Sequence, residues 1–223
     1  VQNGADSVYF GSNIFSARAF ANNFDLEELK HAIEYAKLRG VKTNLTLNTL
    51  ITDNEFEEAF ELAQKAYEFG IDAIIVQDLG LAKKLISSFP DLAIHGSTQM
   101  TIHNLNGALE LQELGFSRVV LSRELSMDEI EYIRKNTNIE LECFIHGALC
   151  VSYSGQCYLS YAIGKRSANR GECAQPCRKK YSLKDADGKF ILKDKYILSL
   201  KDFNLSEKLE DLILAGVTSF KIE

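Results

Sequence analysis

Four of the five cysteines in this chain stand in one glycine-punctuated stretch, at Cys150, Cys157, Cys173 and Cys177, separated by six, fifteen and three residues. Four thiolates match either a tetrahedral zinc or an iron–sulfur cluster. A zinc ribbon uses two tight Cys-x2-Cys knuckles. The wider spacings here suit a cluster wrapped by a loop and put an iron–sulfur cluster ahead of zinc, with unligated thiols as the remaining reading. The three-cysteine pattern of radical enzymes is not met, because Lys180 stands where a third cysteine would follow Cys177. A chain of 223 residues is large enough to bury a core, and five is an odd number, so a disulfide scaffold is not expected. Strand alternation separates the fifth thiol, since Cys143 shares a face with Ile145 while Glu142, Phe144 and His146 share the other. Cys143 reads as a small buried hydrophobe facing the helices.

Other groups could serve the same site. His95 and His146 fall at the ends of β-branched runs and, with Glu142, are candidate acid–base or substrate-binding groups; hydrogen-bonded structural roles fit the histidines equally. Arg18, Arg123, Lys201 and Lys221 are candidate cations for an anionic donor or RNA, although Arg123-Glu124 also reads as a structural ion pair. Tyr9, Asn48 and Gln99 are candidate pocket residues that could instead satisfy loop backbone. Residues 164–180 carry six basic side chains against Glu172 alone, a net +5 that leaves −11 on the rest. That segment reads as a rim for RNA or a carboxylate metabolite, or as charge compensation around a thiolate cluster.

These residues need a scaffold, and the chain supplies a repeating one. A helical pattern, a glycine and a β-branched run recur at Gly4, Gly40, Gly70, Gly115 and Gly216. Strands are expected at 7–11, 42–48, 73–78, 93–98, 118–123, 140–147 and 219–223, alternating with amphipathic helices such as 26–39 and 55–69 and with caps at Asp25, Asp53, Ser126 and Asn204. Such alternation dictates a parallel sheet. Polar residues at nearly every strand end (Asn48, Asp78, His95, Arg123, His146), and no leading glycine-rich phosphate loop, favour a TIM-like (β/α)8 barrel over an open doubly wound sheet. The first β/α unit is expected to be missing. The reading is a single barrel domain over 1–223, interrupted at 148–200 by the cysteine loop and by a β-hairpin turning at Asp185-Ala186-Asp187-Gly188.

The chain is 46% hydrophobic and 25% charged with a net charge of −6, which excludes disorder and collagen and points to no nucleic-acid or membrane partner beyond a local patch. Apolar runs fall far short of the ~20 residues of a spanning helix. The expected setting is soluble and cytoplasmic, and both ends read as cut from a longer protein. No His-Glu-x2-His or Gly-x-Ser-x-Gly pattern supports hydrolysis. A His146–Cys150 dyad is conceivable, yet it leaves three cysteines unexplained.

The stretch Glu142-x-Phe144-x2-Gly147-Ala148-Leu149-Cys150-x6-Cys157-x-Leu159-Ser160 resembles the signature of the collagenase-like bacterial peptidase family, type U (unknown mechanism), number thirty-two. Gly4 to Gly11, Ser16 to Phe20, Ser97-Thr98-Gln99, Leu121 to Leu125, Ser199 to Asp202 and Phe220 to Glu223 are similar to it as well. The resemblance implies a barrel-like catalytic domain followed by a further region. It also implies a [4Fe–4S] cluster on Cys150, Cys157 and Cys173, with Cys177 or another residue as fourth ligand. Its members include oxygen-independent hydroxylation proteins acting on transfer RNA uridine, ribosomal RNA cytidine or a quinone precursor, and prephenate is implied as oxygen donor for the RNA-modifying ones. A partner subunit is admitted. The alternatives are the peptidase of the family name and a non-catalytic scaffold holding structural zinc.

Overall fold

The computed structural model describes residues 1–17 and 23–223, so the candidate Arg18 lies outside the described residues. In chain order the strands are β1 (Ser7–Gly11), β2 (Lys42–Leu47), β3 (Ala73–Val76), β4 (Ala93–Gly96), β5 (Arg118–Val120), β6 (Glu140–Gly147), the hairpin β7 (Tyr181–Lys184) and β8 (Phe190–Lys195), a short β9 (Phe203–Asn204) and β10 (Ser219–Ile222). Helices α1 (Leu26–Lys37), α2 (Phe56–Glu68), α3 (Leu79–Ser88), α4 (Leu105–Leu114), α5 (Met127–Asn136), α6 (Leu159–Gly164) and α7 (Leu209–Leu214) complete the chain. The order β1-β2-β3-β4-β5-β6-β10 forms one parallel sheet, curled into a half-barrel. Among the described residues no ladder joins β10 to β1, but the Tyr9 hydroxyl donates to the Ile222 carbonyl across that seam at 3.4 Å.

Period-two alternation divides the strands into two faces. Leu45, Leu47, Ile74, Val76, Ile94, Val119, Leu121, Leu141, Cys143 and Ile145 pack outward against Leu29, Ile33, Ala63, Leu81, Leu85, Leu111, Ile133 and Leu212 of the helices. Cys143 therefore lies in the apolar layer, and burial first, then Glu142, pushes its thiol up to about 12. The opposite face mixes polar and apolar groups: Asn44, Thr46, His95, Glu142 and Lys221 are all buried within the curl beside Ile75, Val120 and Phe144. A barrel stabilised only by packing fills that space with branched apolar side chains.

All five punctuating glycines adopt positive φ, from 69° to 97°, the left-handed conformation that ends a helix and redirects the chain into the next strand. Asp25 and Ser126 cap α1 and α5 in reciprocal boxes with Glu28 and Glu129. Two expected caps are corrected. Thr52 rather than Asp53 caps the turn before α2, because the Glu55 carboxylate returns to its backbone and hydroxyl. Asn204 lies in β9 and is not the cap of α7 itself, but its Oδ1 accepts from Ser206 N at 3.0 Å at the entry to the 3-10 turn Ser206–Lys208 that leads into α7. Several strands stop short of their expected ends because the polar residues there leave the ladder to become caps. Asp78 accepts from Leu81 N at 2.9 Å, and Ser97 accepts from Gln99 N at 3.1 Å. Those caps turn the chain at the C-terminal rim of the sheet, where the functional candidates gather.

Candidate functional site

The cysteine loop is fastened to that rim at several points. Glu124, after β5, accepts from Ser154 N and Oγ at 2.8 and 2.9 Å, and Thr101, after β4, donates to the Ser154 carbonyl at 2.7 Å. Arg123 donates to the Ala148 carbonyl, and Arg178 donates to the Leu149 carbonyl at 3.1 Å. Arg170 reaches across to the Leu50 carbonyl and to Glu55, at 3.0 Å to Oε2, after β2. That grip, with the Thr52 backbone, holds the Glu55 carboxyl down to about 2. The loop thus caps the ends of β2, β4, β5 and β6. Two of the six cations in 164–180 are consumed as clamps rather than left on an open rim. The Arg123-Glu124 ion pair read from the sequence is not formed: Arg123 pairs with Glu223, and Glu124 holds Ser154.

Gly155 seats the cap. It has φ +75°, and a Cβ there would overlap the Gln99 backbone carbonyl. Replacing Gly155 with alanine is therefore expected to lift the loop from β4, and limited proteolysis should show new cleavage within 148–178 while the sheet keeps its far-UV signal. Unchanged resistance to protease would contradict this seating.

The cap gathers the four thiols on one loop. Cys150 and Cys173 are exposed, and Cys157 and Cys177 are half-buried. The Cys150 thiol is pushed up, first by burial and further by Cys157, Cys177 and Cys173, so all four lie within electrostatic reach; a backbone N–H at Ser152 opposes the shift. Cys173 Sγ accepts from Gln175 N at 3.4 Å, with Gln175 itself left-handed at φ 52°. Backbone N–H donors aimed at sulfur stabilise thiolate and tune bound iron–sulfur centres. Among the described residues, no three His, Cys, Asp or Glu side chains stand close enough to share a single metal ion. The donor set, four sulfurs on one tethered loop with backbone donors at two of them, fits an iron–sulfur cluster.

Beside the cap, a cavity of about 280 Å³ opens into the curl, with Tyr9, Asn48, Gln99, Arg123 and Lys221 in its wall together with Phe144 and Glu223. Five sequence candidates are thus brought together. The Arg123 guanidinium lies 3.8 Å from the Phe144 ring centroid, and Lys221 Nζ lies 4.1 Å from that of Tyr9. Asn48 accepts from Ala17 N at 3.0 Å and donates to Ser97 Oγ at 3.2 Å, so its backbone-satisfying role is real.

Within the sheet curl, Glu142 bonds Lys221 Nζ at 2.8 Å, Ser219 Oγ at 2.8 Å and Arg118 Nη1 at 3.1 Å. Burial opposes its charge, but Lys221, Ser219 and Arg118 together outweigh it and hold the carboxyl below its usual range. His95 pairs in register with Arg118. Burial first, then Arg118 and Lys221, push it down to about 4 against the pull of Glu142 and Glu140. Its Nδ1 has no partner among the described residues.

An unfolded histidine titrates near 6.5, so between pH 6.5 and about 4 the unfolded chain binds a proton that buried His95 refuses. This contribution to stability is fully present above pH 6.5 and is lost as pH falls toward 4. His95→Gln is expected to flatten the pH dependence of Tm over that window; an identical dependence in wild type and variant would contradict a neutral, buried His95.

The remaining candidates stand apart. His146 is exposed, because the register shift between Lys221 and Ile222 and the pairing of β6 with β9 turn that end of the strand away from the cavity. Lys201 is exposed and does not line the cavity. Arg118 and Glu223 were not singled out in the sequence; Arg118 shares the inward parity of Val120, and that alternation was the available signal.

The chain is thus a half-barrel of parallel β/α units whose strand ends line a cavity of mixed polarity, with a cysteine-bearing cap beside it. The chain belongs to peptidase family U32, whose model matches residues 1–223. It is 45% identical to the 23S rRNA 5-hydroxycytidine C2501 synthase of Escherichia coli over 100% of this chain and 34% of that protein. It is 36% identical to tRNA hydroxylation protein P1 of Bacillus subtilis (100% and 54%) and 38% identical to a collagenase of Porphyromonas gingivalis (100% and 56%). The chain thus spans between a third and three-fifths of these curated relatives. A solved U32 peptidase superposes with a TM-score of 0.59 at 13% identity, covering 87% of this chain and 81% of that one, which bears on fold alone. Among the described residues, no helix is long and apolar enough to cross a membrane.

Proposed function

We propose that the protein is an RNA-modifying enzyme that hydroxylates a pyrimidine base of ribosomal or transfer RNA, of the 5-hydroxylation type and without molecular oxygen. Cys150, Cys157, Cys173 and Cys177 would hold a [4Fe–4S] cluster. The observation that carries this reading is the single tethered cap bearing all four thiols beside a cavity with Arg123 and Lys221 in its wall, in a chain similar to ribosomal and transfer RNA hydroxylation proteins. Bound there, such a cluster supplies one-electron or Lewis-acid chemistry.

The chain's own residues set the surroundings. Arg123 and Lys221 provide the charge for a small anionic donor of the prephenate-like class, and both already carry carboxylate partners, Glu223 and Glu142. An anion therefore binds by taking Arg123 from Glu223, while Glu142 holds Lys221 in place within the curl. His95 is neutral at pH 7 and keeps an unpartnered, buried ring nitrogen on the inner face of the sheet. RNA-modifying relatives make a cytoplasmic setting the natural one.

The peptidase reading requires an activated nucleophile. A catalytic cysteine has a depressed pKa and a histidine partner, whereas the Cys150 thiol is pushed up, and among the described residues no hydrogen bond joins His146 to it. The proposal is tested by purifying the full-length protein anaerobically and measuring iron and acid-labile sulfide. About four of each per chain is expected. Colourless protein containing zinc would establish a structural metal instead, and cleavage of gelatin lost on Cys150→Ser would restore the peptidase.

A further inference from the structure

The hairpin β7–β8 has no role in the fold just described. All six residues of β8 are exposed, whereas a strand that serves a core buries one face. Its turn is nonetheless built to hold shape: the Asp185 carboxylate accepts from Asp187 N and Lys189 N, and Gly188 takes φ +83°. Its base is fixed to the cysteine cap through Tyr181 Oη, which donates to the Pro176 carbonyl at 2.9 Å, and through Arg178, which donates to Ser199 Oγ at 2.8 Å. The hairpin is a stiff projection whose first strand starts four residues beyond Cys177.

Its chemistry is basic and aromatic. Residues 164–201 hold eleven basic side chains against four acidic ones, a net +7 in a chain of net −6. Lys184, Lys189, Lys193 and Lys195 belong to the hairpin and Lys179 and Lys180 immediately precede it, and among the described residues none of the six is in a salt bridge. Phe190 and Tyr196 are 47% and 58% exposed. Lys184 and Lys193 stand 4.6 and 5.6 Å from the Phe190 ring, and Lys180 stands 5.5 Å from that of Tyr196. Protein-docking faces are depleted of lysine, while single-stranded nucleic acid is held where cations track the backbone and aromatic rings stack bases.

We infer that the β7–β8 hairpin is an RNA-holding arm, its lysines on phosphates and its Phe190 and Tyr196 rings under unpaired bases, leading the strand toward the capped cavity. The inference rests on the RNA reading above and adds where the polynucleotide is gripped. Its test uses the full-length protein and a fluorescein-labelled single-stranded RNA of mixed sequence, followed by anisotropy across a salt series. The triple variant Lys189→Gln/Lys193→Gln/Lys195→Gln is expected to lower the slope of log K against log salt by about 2. Phe190→Ala is expected to weaken binding about tenfold at fixed salt. Iron content and the thermal midpoint should stay at wild-type values, because no hairpin residue is buried. If wild type binds and the triple variant binds with the same slope, the arm is wrong and the RNA reading stands; if wild type does not bind RNA, both fall. Lysine footprinting with an amine-reactive reagent separates a remaining occupant: Lys189, Lys193 and Lys195 should be modified readily in the free full-length protein and protected on adding RNA. Protection before RNA is added would show another part of the protein covering this face and would overturn the arm.

Discussion

Replacing Cys157 with serine in the full-length protein is expected to remove most of the iron and sulfide and to abolish RNA hydroxylation, while the barrel still folds. Three thiols cannot complete the four-sulfur set, and a serine hydroxyl is a far poorer ligand for iron than a thiolate. The barrel survives because the cap is held by contacts that do not involve sulfur, chiefly Glu124 on Ser154 and Arg170 on Glu55. Cys143→Ser is the control. That thiol lies in the apolar layer behind β6, so the variant should cost some stability and leave iron content unchanged. Equal iron loss in both variants would indicate that the measurement reports misfolding.

The second large effect concerns the lumen. Glu142→Gln leaves Lys221 buried beside Arg118 without its carboxylate, and breaking a buried pair in this way costs about 3–5 kcal/mol. For a domain of this size that is on the order of a 10 °C fall in Tm. Because the loss comes from stranded charge rather than lost volume, the double variant Glu142→Leu/Lys221→Leu should recover much of it, with Arg118 still held by Glu140 at 2.7 Å. Thermal melts of the three proteins decide this, and a double variant less stable than Glu142→Gln would contradict it.

The repeating architecture was legible because it is written locally. Each β/α unit carries its own glycine stop, and period-two alternation by itself puts Cys143 outward and Glu142 inward. The hairpin turn at Asp185 to Gly188 was equally local. What escaped depends on residues distant in sequence. Arg170 meets Glu55 across 115 positions, and Arg123 meets Glu223 across 100, so adjacency suggested Arg123-Glu124 where the fold chose otherwise. β9 has only two residues and pairs antiparallel, with no periodicity to reveal it. His146 follows the alternation of Glu142 and Phe144 in sequence, but a register shift beside it breaks the rule at that point. The four thiols were recognisable from spacing; that their loop is pinned over the ends of β2, β4 and β5 was not.

The central claim is that these four sulfurs serve RNA hydroxylation. It is tested most directly by nucleoside mass spectrometry of ribosomal and transfer RNA from a deletion strain of the source organism, complemented with the wild-type full-length gene or with its Cys150→Ser/Cys157→Ser/Cys173→Ser/Cys177→Ser variant. The account predicts that one 5-hydroxylated pyrimidine nucleoside disappears on deletion, returns with wild type and stays absent with an equally expressed variant. Undiminished hydroxylated nucleosides in the deletion strain, or full recovery with the four-serine variant, would contradict it.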